Sequence, residues 1–160
     1  MKKIVFQIIL TVIVLMAFLA PAHSQGANAI DFTAVDINGN NIKLSDYHDN
    51  VVILDFWATW CGPCRREIPH LIDIKNTFKD KKFEIISIAL ERGSEDAAIQ
   101  FVKQKKMNWI HIVNKKITTQ LAQKYQIKFI PTMFIIQKGK IIATGLRGQA
   151  LKNKIQQLVM

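Results

Sequence analysis

Val51-Val52-Ile53-Leu54-Asp55-Phe56-Trp57, followed directly by Ala58-Thr59-Trp60-Cys61-Gly62-Pro63-Cys64, is the stretch on which the fold turns. Its first seven residues are apolar except for Asp55, which suits a strand buried on both faces. Ahead of the second cysteine, Pro63 fits the first turn of a helix, where its fixed φ is right and its missing N–H costs nothing. A buried strand therefore passes straight into a helix, and the two cysteines sit at the junction. A thiol at a helix N-terminus meets the positive end of the macrodipole and unpaired N–H groups, which favour the thiolate. Cys61, the outer cysteine, is expected to be the exposed nucleophile. Cys64, one turn inside, is expected to be less accessible and suited to resolving a mixed disulfide.

Outward from this junction, Phe83 to Leu90 (FEIISIAL) reads as a second buried strand. Upstream, Phe32–Val35 and Ile42–Leu44 flank Asn38-Gly39, a hairpin signal. Ser45-Asp46 predicts the cap of a short helical turn. The helix that starts at the cysteines should run to about Lys79, bent near Pro69. Ser94 predicts the cap of a helix with Ala97, Ala98, Phe101 and Val102 on one face, and Ile117, Leu121 and Tyr125 mark another short helix. Thr132–Ile136 and Lys140–Thr144 form a hairpin around Lys138-Gly139, and Ala150–Val159 closes the chain as an amphipathic helix. Strands alternating with helices imply parallel pairing, whereas the late hairpin is antiparallel. The expected class is α/β, a mixed central sheet flanked by helices with an added N-terminal β-hairpin.

With 160 residues the chain has room for one domain of ordinary size. A composition 49% hydrophobic and 21% charged excludes a disordered tail or a coiled coil. Met1-Lys2-Lys3, the apolar run Ile4–Leu19 broken by Gln7 and Thr11, and Ala22-His23-Ser24 before Gln25 have the layout of a secretory signal peptide. The expected division is a signal peptide over residues 1–24 and a folded domain over 25–160, a retained membrane anchor through residues 4–22 being the alternative. Either way the folded part belongs in a periplasmic or otherwise extracytoplasmic space. A dithiol there is oxidised unless something keeps it reduced. Lys+Arg 22 against Asp+Glu 12 gives +10, and twelve of the basic residues follow Asp96, after which there is no acidic residue. Because they are scattered over several elements they read as a solvated surface, with anionic lipid or an acidic partner as the sharper alternative. Export and the lack of a binding motif exclude nucleic acid as a partner.

Other uses of a C-x-x-C pair can be weighed. Attached haem needs a histidine after the second cysteine, where this chain has Arg65. Structural zinc needs two more ligands, and His23, His48, His70 and His111 show no metal-ligand spacing. Copper held by the dithiol, with His111 as a further donor, has suitable soft ligands. An inert buried pair is the plainest alternative. Redox exchange accounts best for two cysteines too close together to staple distant parts of a fold.

Asp55-Phe56-Trp57-Ala58-Thr59-Trp60-Cys61-Gly62-Pro63-Cys64-Arg65-Arg66-Glu67-Ile68-Pro69, with Ile130-Pro131-Thr132 downstream, resembles the thioredoxin superfamily, and more narrowly its exported TlpA/ResA-like thiol–disulfide oxidoreductases. The resemblance spans roughly Asp31 to Val159 and implies a thioredoxin-like fold. It implies that Cys61 attacks and Cys64 resolves, and that Asp55 is a buried acid exchanging a proton with Cys64. Glu67, at i+3 from Cys64, matches a carboxylate that often follows the pair in this branch and is by that resemblance a further catalytic candidate, with a capping or surface carboxylate as the alternative. Pro131 matches a cis-proline beside the cysteines, with Ile130 offering backbone hydrogen bonds to a substrate chain. Trp60, Gly62 and Pro63 would complete the docking surface. The expected partners are protein disulfide substrates and a membrane electron donor resembling DsbD or CcdA, for a chain acting as a monomer. No nicotinamide or flavin motif appears, so no cofactor is expected beyond the Cys61–Cys64 disulfide. Thr132 stands where cytochrome-maturation members often carry an acid, and the peroxidase motif P-x-x-x-T-x-x-C is missing. Oxidase or isomerase activity on the same fold is the alternative direction, and Gly62-Pro63, like the dipeptide of reducing thioredoxins, favours reduction.

Overall fold

The computed structural model describes residues 26–160; the expected signal peptide or anchor falls outside the described residues. The sequence around Asn38-Gly39 folds as expected into a hairpin of β1 (Thr33–Val35) and β2 (Asn41–Lys43). Gly39 supplies the positive φ, at 85°. Asp36 closes the turn, its Oδ1 accepting from the N–H groups of Asn38 and Asn40, both at 2.8 Å.

The main sheet has five strands in the order β5-β4-β3-β6-β7. At its centre lies β3 (Val51–Trp57), buried along its whole length as its composition requires. It pairs in parallel with β4 (Phe83–Ala89) and antiparallel with β6 (Thr132–Gln137). Beyond β6 lies β7 (Lys140–Thr144), completing the antiparallel hairpin, and beyond β4 lies the parallel edge strand β5 (Ile110–Ile112). The edge strand is one element that the sequence reading did not separate from its surroundings. With three residues it is too short to display an alternation.

Among the described residues four α-helices cover the sheet: α1 (Gly62–Thr77), α2 (Glu95–Gln104), α3 (Lys115–Lys124) and α4 (Gly148–Val159). Alternation along β3 divides the core into two layers. Val51, Ile53 and Trp57 pack with Ile68, Leu71 and Ile74 of α1, Ala98 and Val102 of α2, and Leu151 and Ile155 of α4. Val52, Leu54 and Phe56 face the other way, onto Leu121 of α3, Tyr125 and the N-terminal hairpin. Asp55, in phase with Ile53 and Trp57, therefore points into the layer that also contains Cys61 and Cys64.

One cap differs from expectation. The turn Leu44–Tyr47 is a short 3-10 helix whose N-cap position is Lys43, with no side-chain cap, so Ser45 is not the capping residue. Asp31 takes that task from upstream: its Oδ1 accepts from Ser45 N–H at 2.9 Å and Phe32 N–H at 3.0 Å. Ser94 and Asn114 do cap their helices, accepting from Ala97 and Ile117.

Candidate active site

The end of β3 delivers the chain through Ala58-Thr59-Trp60 to Cys61, the N-cap of α1, with Pro63 in the first turn. Cys61 and Cys64 are joined in a disulfide. The N–H of Cys64, one of the donors a helix leaves unpaired at its start, points at Cys61 Sγ from 3.2 Å. On reduction, that donor and the helix dipole stabilise negative charge on Cys61. The expected contrast in access is not found: Cys61 is 5% exposed and Cys64 3%, so neither is an open nucleophile in the disulfide form. Cys61 is covered because the Ile130–Pro131 segment lies over it, its Sγ standing 3.7 Å from the Ile130 carbonyl oxygen. The Ile130–Pro131 peptide is cis. Position in the helix, not exposure, is what distinguishes the two sulfurs.

Asp55 is buried, at 2% exposure, rather than at a wet strand end. Its Oδ2 accepts from Ser87 Oγ at 3.1 Å, and Ser87 Oγ in turn accepts from Trp109 Nε1 at 2.9 Å. Among the described residues its Oδ1 has no hydrogen-bond partner. Burial pushes the Asp55 carboxyl up to about 7; the Ser87 bond opposes this, and the charge of Glu67 adds to it. Glu67 is buried too, and its Oε1 accepts from Gly148 N–H at 2.6 Å. It thereby supplies from α1 the cap that Arg147, at the N-cap of α4, lacks.

Trp60 is 47% exposed, with the Arg92 guanidinium 4.1 Å above its ring. Gly62 and Pro63 are exposed, and Ile130 is half-buried. The structure thus gathers Cys61, Cys64, Trp60, Gly62, Pro63, Ile130 and Pro131 at one end of the sheet, with Asp55 and Glu67 behind them. His111 is not among them. It lies on β5, in register with Ser87 and so two strands from Asp55, and its Nε2 bonds the Met107 carbonyl at 3.1 Å. As a copper ligand beside the dithiol it is therefore out of place. Among the described residues no group of three or more His, Cys, Asp and Glu could hold a metal ion.

Several supporting residues went unread in the sequence. Glu91, just after β4, receives Thr59 N–H at 2.6 Å and Thr59 Oγ at 3.0 Å, and so fixes the segment leading into Cys61. Arg147 donates to the Pro131 carbonyl at 2.9 Å. Phe129, 70% exposed, stands next to Ile130. Only Ser87 had a signal: like Asp55, it is a polar residue inside an apolar run, here Ile85–Ala89, and two such residues in neighbouring buried strands call for one another.

A disulfide of this spacing, at the start of the helix that follows the central strand of such a sheet, defines a thioredoxin-like thiol–disulfide oxidoreductase. The chain belongs to the AhpC/TSA family, whose model matches residues 25–144. It is 30% identical to the thiol-disulfide oxidoreductase ResA of Bacillus subtilis over 139 residues, covering 85% of this chain and 76% of that one. Among solved structures, the thioredoxin domain of a thiol-disulfide oxidoreductase from Bacteroides vulgatus matches with a TM-score of 0.79 at 31% identity, covering 87% of this chain and all of that domain. The thiol:disulfide interchange protein DsbE from Chlorobium tepidum matches with a TM-score of 0.73 at 32% identity, over 84% of this chain and 94% of its own.

Proposed function

We propose that this chain is an extracytoplasmic protein disulfide reductase that cycles between the Cys61–Cys64 dithiol and disulfide. The Cys61 thiolate attacks one sulfur of a substrate disulfide. That bond breaks, half of the substrate stays on Cys61, and the other sulfur leaves as a thiolate that takes up a proton. Asp55, as carboxylate, accepts the Cys64 proton, and the Cys64 thiolate then attacks Cys61 Sγ and releases the second substrate thiol. Two electrons pass to the substrate, and the Cys61–Cys64 bond closes.

Ile130 and Pro131 hold the substrate backbone beside Cys61, with Trp60, Gly62 and Pro63 as the exposed floor. Glu67 keeps α1 and α4 together behind the pair. The dithiol is restored by an external dithiol, a membrane donor resembling DsbD or CcdA. The disulfide is the chain's own redox centre, and no bound cofactor takes part.

The observation that carries the direction is the placement of two carboxyl groups, Asp55 and Glu67, buried behind the cysteines. A strong oxidant must stabilise its reduced, thiolate-bearing form. Buried carboxylates work against a further anion and so favour the disulfide. The test is the equilibrium reduction potential against a thiol buffer. A value near that of thioredoxin, ~−270 mV, is expected; one near the strong oxidants, ~−120 mV, would reverse the direction.

A further inference from the structure

Two cavities include residues next to the disulfide, one of them Gly62 and the other Pro131. The first, of about 590 Å³, runs between α1 and α2 and contains Arg65, Arg66 and Lys105. The second, of about 250 Å³, lies between the end of β7 and the segment after α3, and contains Lys128 and Arg147. Neither has a carboxylate in its lining. All five cations are exposed, and none belongs to an ion pair among the described residues. Arg65 and Lys105 instead lie over the ring of Phe101, at 5.7 and 5.8 Å, and Arg147 reaches the Pro131 carbonyl. Two exposed aromatic rings adjoin the site in the chain, Trp60 before Cys61 with Arg92 above it, and Phe129 before Ile130.

Scattered along the sequence, these charges read as ordinary solvation. In the fold they gather in the linings of two cavities that include Gly62 and Pro131 beside the cysteine pair, and neither lining contains an acid. Gly62 follows Cys61 in the chain and Pro131 follows Ile130, whose carbonyl lies 3.7 Å from Cys61 Sγ, so an extended chain reaching both cavities runs by Cys61 where a small disulfide would fill neither. We propose that the preferred substrate is a polypeptide segment whose disulfide cysteine carries Asp or Glu residues on both sides. The acidic side chains enter the two cationic cavities while the cysteine lies against Cys61 and Ile130. Carboxylates near a disulfide repel an approaching thiolate, and the cations remove that penalty while steering the encounter. The inference rests on thiol–disulfide exchange at Cys61 but not on its net direction.

The test uses short synthetic peptides, each closed by one disulfide and differing only in the flanking residues: Glu, Gln or Lys. Second-order rate constants with the reduced protein are each divided by the constant for dithiothreitol, which removes intrinsic reactivity. The Glu peptide is expected to exceed the Gln peptide about tenfold and the Lys peptide to fall below it, the spread shrinking as ionic strength rises from about 0.01 M to about 1 M. Arg66→Glu with Lys105→Glu, or Lys128→Glu alone, should each reduce the preference, whereas Lys116→Glu, which lines neither cavity, should leave it intact. Equal normalised constants would overturn the proposal, as would an equal loss in the Lys116→Glu protein. So would co-sedimentation with phosphatidylglycerol–phosphatidylethanolamine vesicles that needs Arg66 and Lys105 while the peptides remain undiscriminated, since the cations would then face a membrane. Oxidised protein with the peptide dithiols gives the same ranking in the opposite direction, so an error about reduction leaves the charge preference readable.

Discussion

At the scale of single residues, Asp55 and Cys61 show how one short segment sets up both halves of the exchange. Cys61 is placed at the helix start, where the N–H of Cys64 meets its sulfur. Asp55, six positions earlier, is held in the α1-facing layer with one oxygen on Ser87 and the other without a partner among the described residues. With its carboxyl pushed up to about 7 by burial, Asp55 gains its negative charge as the pH rises through that value. As the base for Cys64 it must be ionised before the resolving step, so the rate of that step should rise through pH ~7 and level off above it. Asp55→Asn should leave the first attack by Cys61 nearly unchanged and slow resolution by roughly 10²-fold, with the pH dependence lost. Rapid acid quenching and mass spectrometry would then find the substrate–Cys61 mixed disulfide accumulating. Resolution at the native rate in Asp55→Asn would remove Asp55 from the proton path.

At the scale of elements, legibility tracked how local the cause was. The buried strands β3 and β4, the hairpin at Asn38-Gly39 and the Ser94 cap are written in adjacent residues, and the structure contains each of them. The features that the sequence did not show depend on residues far apart in the chain. Asp31 serves Ser45 across 14 positions, Glu91 serves Thr59 across 32, and Glu67 serves Gly148 across 81. Spacing suggested that Glu67 shares a helix face with Cys64, but it could not suggest that the carboxylate reaches the start of another helix. That contact supplies the fold prediction at this scale. Glu67→Ala leaves the Gly148 N–H without its acceptor and should lower the unfolding free energy of the oxidised protein by about 1–3 kcal/mol. Glu67→Gln keeps an acceptor and loses only the charge at the α4 N-terminus, so its cost should be smaller, about 1 kcal/mol. Chemical denaturation of the three proteins would rank them, and equal midpoints for both variants would mean that the cap contributes nothing beyond its charge.

For the molecule as a whole, two buried groups in register two strands apart in one sheet oppose each other in their effect on stability. Asp55, raised by burial from 3.8 to about 7, binds a proton in the folded state that the unfolded state has released, so it makes stability fall as pH rises from about 4 to about 7. His111, lowered by burial from 6.5 to about 4, stays neutral when folded while the unfolded form takes up a proton. It makes stability rise over nearly the same window. Asp36, whose carboxyl is held below its ordinary 3.8 by hydrogen bonds from Asn40 and Asn38 that outweigh its burial, acts only at lower pH. Between about pH 4 and 6.5 the Asp55 and His111 slopes therefore cancel, and this pair leaves the oxidised protein nearly indifferent to pH. Removing one group exposes the other. Asp55→Asn should convert the flat region into a rise of up to roughly 1.4 kcal/mol per pH unit, the full linkage of one proton. Denaturant titrations at about pH 4.5 and 6.5, with the disulfide kept intact, give the comparison as a change in midpoint. A flat profile in Asp55→Asn would mean that Asp55 is not the protonated partner in that balance, and it would also weaken the case for Asp55 as the group that takes the proton of Cys64.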